Sequence, residues 1–275
     1  MTLVLAVVAG ALIGLSLGAL GGGGSILAVP VLVYLLDQSP AQATTGSLVV
    51  VGTTALIGAI AARRSGNVLL ARGVAFGIVA IGGAVLGAKA SAHVDEDVLL
   101  AAFAALMLLV GALMAWRLLR HGNAAAGPTH VARPTLDDPI ISFSPTFACA
   151  CPRALKVLVT ATAVGLLTGF LGVGGGFLVV PALLVAIALP LPYAAGTSLV
   201  VITITSAAAL ATRAGVGSAP DWGVVLVLTL ASALAAVAGA RIADRADTRR
   251  LSGAFTVLVL TVAGYTASQA LPALS

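Results

Sequence analysis

The sequence predicts an all-α, polytopic membrane protein of two inverted repeats, each with about five helical segments and a short helix that glycines break. Composition is the first reason: of 275 residues, 60% are hydrophobic and 8% are charged. A soluble domain has about 25% charged residues, so this chain could not cover a water-exposed surface, which excludes soluble enzymes and nucleic-acid-binding proteins. The other two reasons are an internal repeat and a one-sided distribution of basic residues.

Ten apolar segments follow one another along the chain. Five lie at 3–20, 25–37, 42–62, 69–91 and 97–118, and five more lie at 155–171, 176–190, 193–212, 222–243 and 251–271. A membrane-spanning helix needs about 20 apolar residues, and the third, fourth and fifth segments of each set reach that length. The second segment of each set is short and contains Pro30 or Pro181, so we expect a broken or re-entrant helix there. These segments predict a first membrane repeat at 1–119, a linker at 120–154 and a second repeat at 155–275.

The two halves repeat each other in sequence. Residues 14–30 align without a gap on residues 165–181, and ten of these 17 positions are identical. The same offset of 151 carries Ser47 onto a serine, and an offset of 152 carries Gly87 onto a glycine later in each half. Composition bias alone would not hold one offset through the proline and the serine together, so we interpret the pattern as a duplication.

The basic residues indicate how the halves are oriented. Five crossings in each half are an odd number, so the second half would be inverted relative to the first. Twelve of the fourteen basic residues then fall on one side of the membrane: Arg63, Arg64, Arg72, Arg117, Arg120, Arg133, Arg153, Lys156, Arg241, Arg245, Arg249 and Arg250. Lys89 and Arg213 fall on the other side. Because basic loops stay in the cytoplasm, we expect a bacterial-type inner (plasma) membrane protein with a cytoplasmic linker and both termini outside.

Two glycine-rich breaks interrupt the repeats at equivalent places. Their residues are Gly21, Gly22, Gly23, Gly24 and Ser25 in the first half, and Gly172, Gly174, Gly175 and Gly176 in the second. An inverted repeat with interrupted helices is typical of a secondary transporter with its site at the repeat interface. The free amides and the positive dipole end of the helix after each break would favour an anion. The alternative is that these glycines only let helices pack closely.

Hydroxyl side chains open the third segment of each half. The candidate donors to an oxyanion are Thr45 and Ser47 in the first half and Thr197 and Ser198 in the second. The alternative is that these hydroxyls bond to carbonyl groups one turn back in their own helix. We expect that second behaviour for Thr53, Thr54, Thr203 and Thr205.

Charged side chains do not fall clearly inside any apolar segment of the sequence. Proton relays and cation sites normally use intramembrane carboxylates or histidines, so a cation pump is not favoured. The sequence also has no phosphate-binding loop of ATPases and no pattern that pairs a nucleophile with a base. We therefore predict no enzyme activity, no metal and no cofactor, and we assign no chemistry to Cys149 and Cys151 in the linker.

The glycine breaks with their following prolines, together with the Gly46-Ser47-Leu48 and Gly196-Thr197-Ser198-Leu199 turns, give the chain a likeness to a known family. On these residues it resembles the sulfite exporter TauE/SafE family of membrane permeases, over nearly the whole chain apart from the linker. The resemblance implies transport of small sulfur-containing or organic oxyanions such as sulfite or sulfonates.

The sequence thus predicts a membrane transporter, a permease or exporter, whose partners are a small anionic substrate and membrane lipid, without nucleic acid. A homo-oligomer is compatible with the sequence. The alternative function is a membrane-embedded accessory or assembly subunit that binds a partner protein and transports nothing.

Overall fold

The computed structural model describes residues 2–120, 151–172, 176–186, 189, 191–213 and 220–243, together with residues 253, 257, 260–262 and 264. Every regular element within these ranges is helical. Five stretches are long and apolar enough to cross a membrane: Leu3–Leu35, Pro40–Arg64, Leu70–Ser91, Tyr193–Arg213 and Trp222–Ile242. The predicted all-α, polytopic membrane fold is confirmed.

The helices follow the predicted segments closely. They are α1 (Thr2–Leu20), α2 (Ala28–Pro30), α3 (Pro40–Arg64), α4 (Leu70–Ser91), α5 (Glu96–Arg120), α6 (Cys151–Leu171), α7 (Gly176–Ala186), α8 (Leu191–Arg213) and α9 (Trp222–Ala243). The predicted short helix of the first half is broken, since a 3-10 turn at Gly21–Leu27 precedes α2 and a π turn at Val31–Leu35 follows it. The second half differs, because Pro181 lies inside the regular helix α7.

One described helix end differs from the end of its predicted segment. Helix α6 begins at Cys151, so its first turn lies in the range 120–154 that we expected to be linker. The described part of helix α7 spans Gly176–Ala186, which lies within its predicted segment of 176–190. The rest of the linker and all but single residues of the last segment, 251–271, lie outside the described residues.

Helix α3 begins at a well-formed N-terminal cap. The Ser39 hydroxyl accepts a hydrogen bond from the backbone N–H of Gln42 at 3.4 Å, and the Gln42 side-chain oxygen accepts one from the Ser39 N–H at 3.3 Å. Pro40 occupies the first helical position, where its missing N–H costs nothing. This cap fixes the start of α3 and therefore the position of the hydroxyl groups in its first two turns.

Two helix pairs form close backbone contacts between the halves. A side chain at Gly14 of α1 would overlap the Ser232 carbonyl of α9, and a side chain at Gly165 of α6 would overlap the Ala80 carbonyl of α4. The repeat offsets of 151 and 152 carry the first contact onto the second. Small residues that let backbones touch are a common means of packing membrane helices, and here the same device is used twice.

The equivalent helices α3 and α8 run antiparallel to each other. Gly52 of α3 packs against Ser206, and Gly58, further along α3, packs against Leu199, which comes earlier in α8. An inverted repeat requires this direction. The orientation of the two halves across a membrane stays a prediction.

Candidate functional site

The two glycine breaks meet in the interior. A side chain at Gly22 would overlap the Gly176 carbonyl, and one at Gly176 would lie 2.6 Å from the Ser25 hydroxyl oxygen. Gly23 and Gly24 are buried in the same 3-10 turn. Close backbone packing therefore accounts for Gly22 and Gly176, and anion binding by the amides of these breaks stays a prediction. Gly174 and Gly175 lie outside the described residues.

Each break opens with a glycine in the left-handed conformation. Gly21 has φ of 71° after α1, and its repeat mate Gly172 has φ of 67° after α6. A side chain would be strained at both positions, as is usual where a helix ends in a left-handed residue. Gly21 packs against Ala195 in the first turns of α8, and Gly172 packs against Thr44 in the first turns of α3. The breaks thus dock on equivalent helices of opposite halves.

Ser47 joins α3 to the second break. Its hydroxyl donates to the carbonyl oxygen of Gly172 and also lies 2.9 Å from the carbonyl oxygen of Thr44. The Ser47 side chain is fully buried. This contact holds the left-handed glycine of one half against the first turns of the third helix of the other half.

The equivalent hydroxyl of the second half is used differently. The Ser198 hydroxyl donates to the Ala195 carbonyl one turn back at 2.7 Å, and the Thr45 hydroxyl likewise donates to the Ala41 carbonyl at 3.2 Å. Both hydroxyls therefore bond to carbonyl groups one turn back in their own helix, which is the alternative to binding an anion.

Two further predicted hydroxyls bond to nearby backbone. The Thr197 hydroxyl accepts a hydrogen bond from the backbone N–H of Leu69 at 3.1 Å, immediately before α4. The Ser25 hydroxyl donates to the Gly22 carbonyl at 2.7 Å inside the first break. Both side chains are fully buried, so they stabilise the segments that surround the breaks.

Four threonines were expected to bond within their own helix. That expectation is confirmed for Thr53, Thr203 and Thr205, whose hydroxyls lie 2.7–3.0 Å from carbonyl oxygens four residues back. It is wrong for Thr54, whose hydroxyl lies 2.8 Å from the Ser232 hydroxyl of α9. The reason is the close approach of α3 to α9, which offers Thr54 a partner on another helix.

A cavity of about 480 Å³ opens beside the second break, at the ends of α4 and α8 and the start of α3. Its polar lining comprises Thr44, Thr45, Lys89, Ser91, His93, Thr212 and Arg213. Lys89 and His93 are exposed, whereas Arg213 is half-buried. The two charged side chains among the described lining residues, Lys89 and Arg213, are both basic.

Arg213 is the functional candidate that sequence reasoning missed. We expected it in a loop, but it lies in the last turn of α8 and turns inward. Its guanidinium group donates to the Thr44 hydroxyl at 2.8 Å, to the Ser91 hydroxyl at 2.8 Å and to the Gly169 carbonyl at 3.0 Å. One residue thus connects α8 with α3, α4 and α6. The available signal was that the predicted topology places only Arg213 and Lys89, of the fourteen basic residues, on one side of the membrane.

Thr44 connects the cavity to the second break. Its hydroxyl accepts from Arg213, and its backbone and side chain pack against Gly172. Thr44 therefore links the lining of the cavity to Gly172, the glycine whose carbonyl accepts from Ser47.

Comparisons with known proteins agree with this architecture. The family model described as Sulfite exporter TauE/SafE matches residues 6–266. Two relatives named "Probable membrane transporter protein" come from Xylella fastidiosa, strains Temecula1 / ATCC 700964 and 9a5c. They are 36% and 37% identical over 202 residues, which is 73% of this chain and 70% of each relative. No solved structure matches the chain significantly.

Proposed function

The chain belongs to the sulfite exporter TauE/SafE family of membrane transporters, and we propose that it is a secondary transporter of small sulfur-containing or organic oxyanions such as sulfite or sulfonates. The observation that carries this substrate class is the positive cavity beside the second glycine break. A path with Lys89 and Arg213 at one end and hydroxyls along it favours an anion over a cation. We also propose that the protein lies in the plasma membrane, with the linker at 120–154 in the cytoplasm.

The proposed path runs from the cavity to the contact between the two breaks. Gly21, Gly22, Gly172 and Gly176 are buried there, in backbone contact with the opposite half. When the two breaks move apart at this contact, their freed amides would bind the anion. Each dipole contribution of this kind is worth roughly 0.3–2 kcal/mol. We therefore expect modest affinity and competition among related oxyanions.

The packed pairs of helices suggest which parts move. Helices α1 and α9 form one unit and α4 and α6 form the other, and each unit contains helices from both halves. Transporters of inverted repeats commonly work by rocking one packed unit against another around a fixed site. In this chain the Gly22–Gly176 contact lies between the two breaks and would close the path.

Uptake into proteoliposomes tests the proposal. Purified protein should support saturable uptake of labelled sulfite and sulfoacetate above the rate of protein-free liposomes, with no accelerated uptake of potassium. Selective potassium uptake without oxyanion uptake would exclude this substrate class. Absence of any uptake by folded, reconstituted protein would instead favour the accessory-subunit alternative.

A further inference from the structure

Among the described residues, Arg213 has no contact that balances its charge. Its three hydrogen-bond acceptors are two hydroxyl groups and one carbonyl group, all neutral. Its Nε atom is buried and has no hydrogen-bond partner among the described residues. A charge that is withdrawn from water normally has a counter-ion, because desolvation is expensive. None of the three described acceptors can serve as that counter-ion.

The guanidinium group is held in place before any ligand arrives. Three acceptors on α3, α4 and α6 fix its plane. A guanidinium has five N–H donors, so two donors remain after these three bonds. A fixed, planar group of this kind recognises oxyanions better than a mobile ammonium group does. Lys89 lines the same cavity and adds a second positive charge near its exposed edge.

The cluster occurs in only one half, although the fold is duplicated. The repeat offset of 151 pairs Arg213 with Ala62 and pairs Thr44 with Ala195. The offset of 152 pairs Ser91 with Ala243. Alanine thus replaces the cation and both hydroxyl acceptors at the equivalent positions. A cluster that only stabilised the duplicated fold would be expected in both halves. Its occurrence in one half therefore indicates a role other than stabilising the fold.

We propose that this cavity binds a small oxyanion, with Arg213 as its main charged contact and Lys89 as a secondary one. The volume of about 480 Å³ lies within the range of small-molecule sites, about 300–1,000 Å³. The Thr45 and Thr212 side chains line the same space and add polar surface. For the choice of sulfonate as the anion, the inference rests on the proposed function, but binding does not require transport.

Calorimetric titration of sulfoacetate into the purified protein in detergent tests the inference. The wild type should bind, and Arg213→Gln should weaken binding by about tenfold or more, since hydrogen bonds to charged groups are strong. Arg213→Lys should retain more affinity than Arg213→Gln, and Lys89→Gln should have a smaller effect. Arg64→Gln is the matched control: Arg64 is an exposed arginine at the end of α3 that does not line the cavity, so binding should be unchanged.

A chemical measurement keeps the test valid if Arg213→Gln does not fold. Phenylglyoxal modifies accessible arginines, and sulfoacetate should slow the modification of Arg213 in the wild type without slowing that of Arg64. Equal binding by wild type and folded Arg213→Gln would overturn the inference, as would no binding or no protection. Binding that depends on Arg213, in a protein that transports nothing, would uphold the site and refute the transport function. Transport at full rate by Arg213→Gln would support the transport function and refute the Arg213 site.

Discussion

Ser47 and Ser198 are equivalent in sequence but should differ sharply on substitution. Ser47 is buried and donates to the Gly172 carbonyl across the repeat interface. The described contact of the Ser198 hydroxyl is with the Ala195 carbonyl, one turn back in the same helix. We therefore expect Ser47→Ala to weaken the second break and Ser198→Ala to have little effect.

The expected loss of stability depends on the hydrogen-bond partner that each substitution leaves without a donor. Ser47→Ala removes the hydroxyl donor to the buried Gly172 carbonyl, and a buried group without its partner costs about 1–3 kcal/mol. For a chain of this length, that loss lowers the melting temperature by roughly 2–12 °C. Ser198→Ala removes a back-bond that contributes little to a helix, so the change should stay within about 0.5 kcal/mol, as at sites without special features.

Two measurements on the same preparations test this difference. Thermal unfolding in detergent should show a lower midpoint for Ser47→Ala and a near wild-type midpoint for Ser198→Ala. Initial uptake rates in proteoliposomes should fall for Ser47→Ala, because the contact lies in the proposed path, and should stay near wild type for Ser198→Ala. Equal effects of the two substitutions would refute the reasoning, because the contact of Ser47 with the opposite half would then make no difference.

Three further predictions concern packing, topology and selectivity. Gly22→Val should abolish folded protein in the membrane, because the side chain would overlap the Gly176 carbonyl. The control Gly82→Val, which has open space around it, should express normally. Normal abundance of Gly22→Val would contradict the packing contact. In a cysteine-free background, single cysteines at positions 66 and 246 should both be shielded from an impermeant external reagent, and a cysteine at 95 should label; labelling at only one of 66 and 246 would refute the inverted repeat. Sulfite, sulfonates and thiosulfate should compete for uptake, because the proposed donors recognise oxygen atoms rather than one anion; selectivity for cations would contradict the substrate class.

The helices were predictable because their signals are local. Apolar length, the Ser39 cap and the proline after each break depend on neighbours within a few residues. The inward turn of Arg213 was not predictable in this way. A basic residue at the end of an apolar segment normally extends toward water, and only the distant Thr44 and Ser91 hydroxyls decide otherwise.

The same limit explains why the expectation for Thr54 was wrong. Back-bonding is a local property, so it was predictable for Thr53 and Thr203. The partner of Thr54 is 178 residues away in sequence and becomes available only when α3 packs against α9. The sequence repeat pairs Ser47 with Ser198, but in the structure Ser47 donates to the Gly172 carbonyl of the opposite half and Ser198 donates within its own helix.

Counterflow in proteoliposomes tests the central claim most directly. Vesicles that contain purified protein and concentrated unlabelled sulfite would be diluted into a trace of labelled sulfite. A secondary transporter predicts transient accumulation of label above its equilibrium level, followed by slow decay, with protein-free vesicles showing neither. Label that enters at the protein-free rate and never exceeds equilibrium would contradict the account.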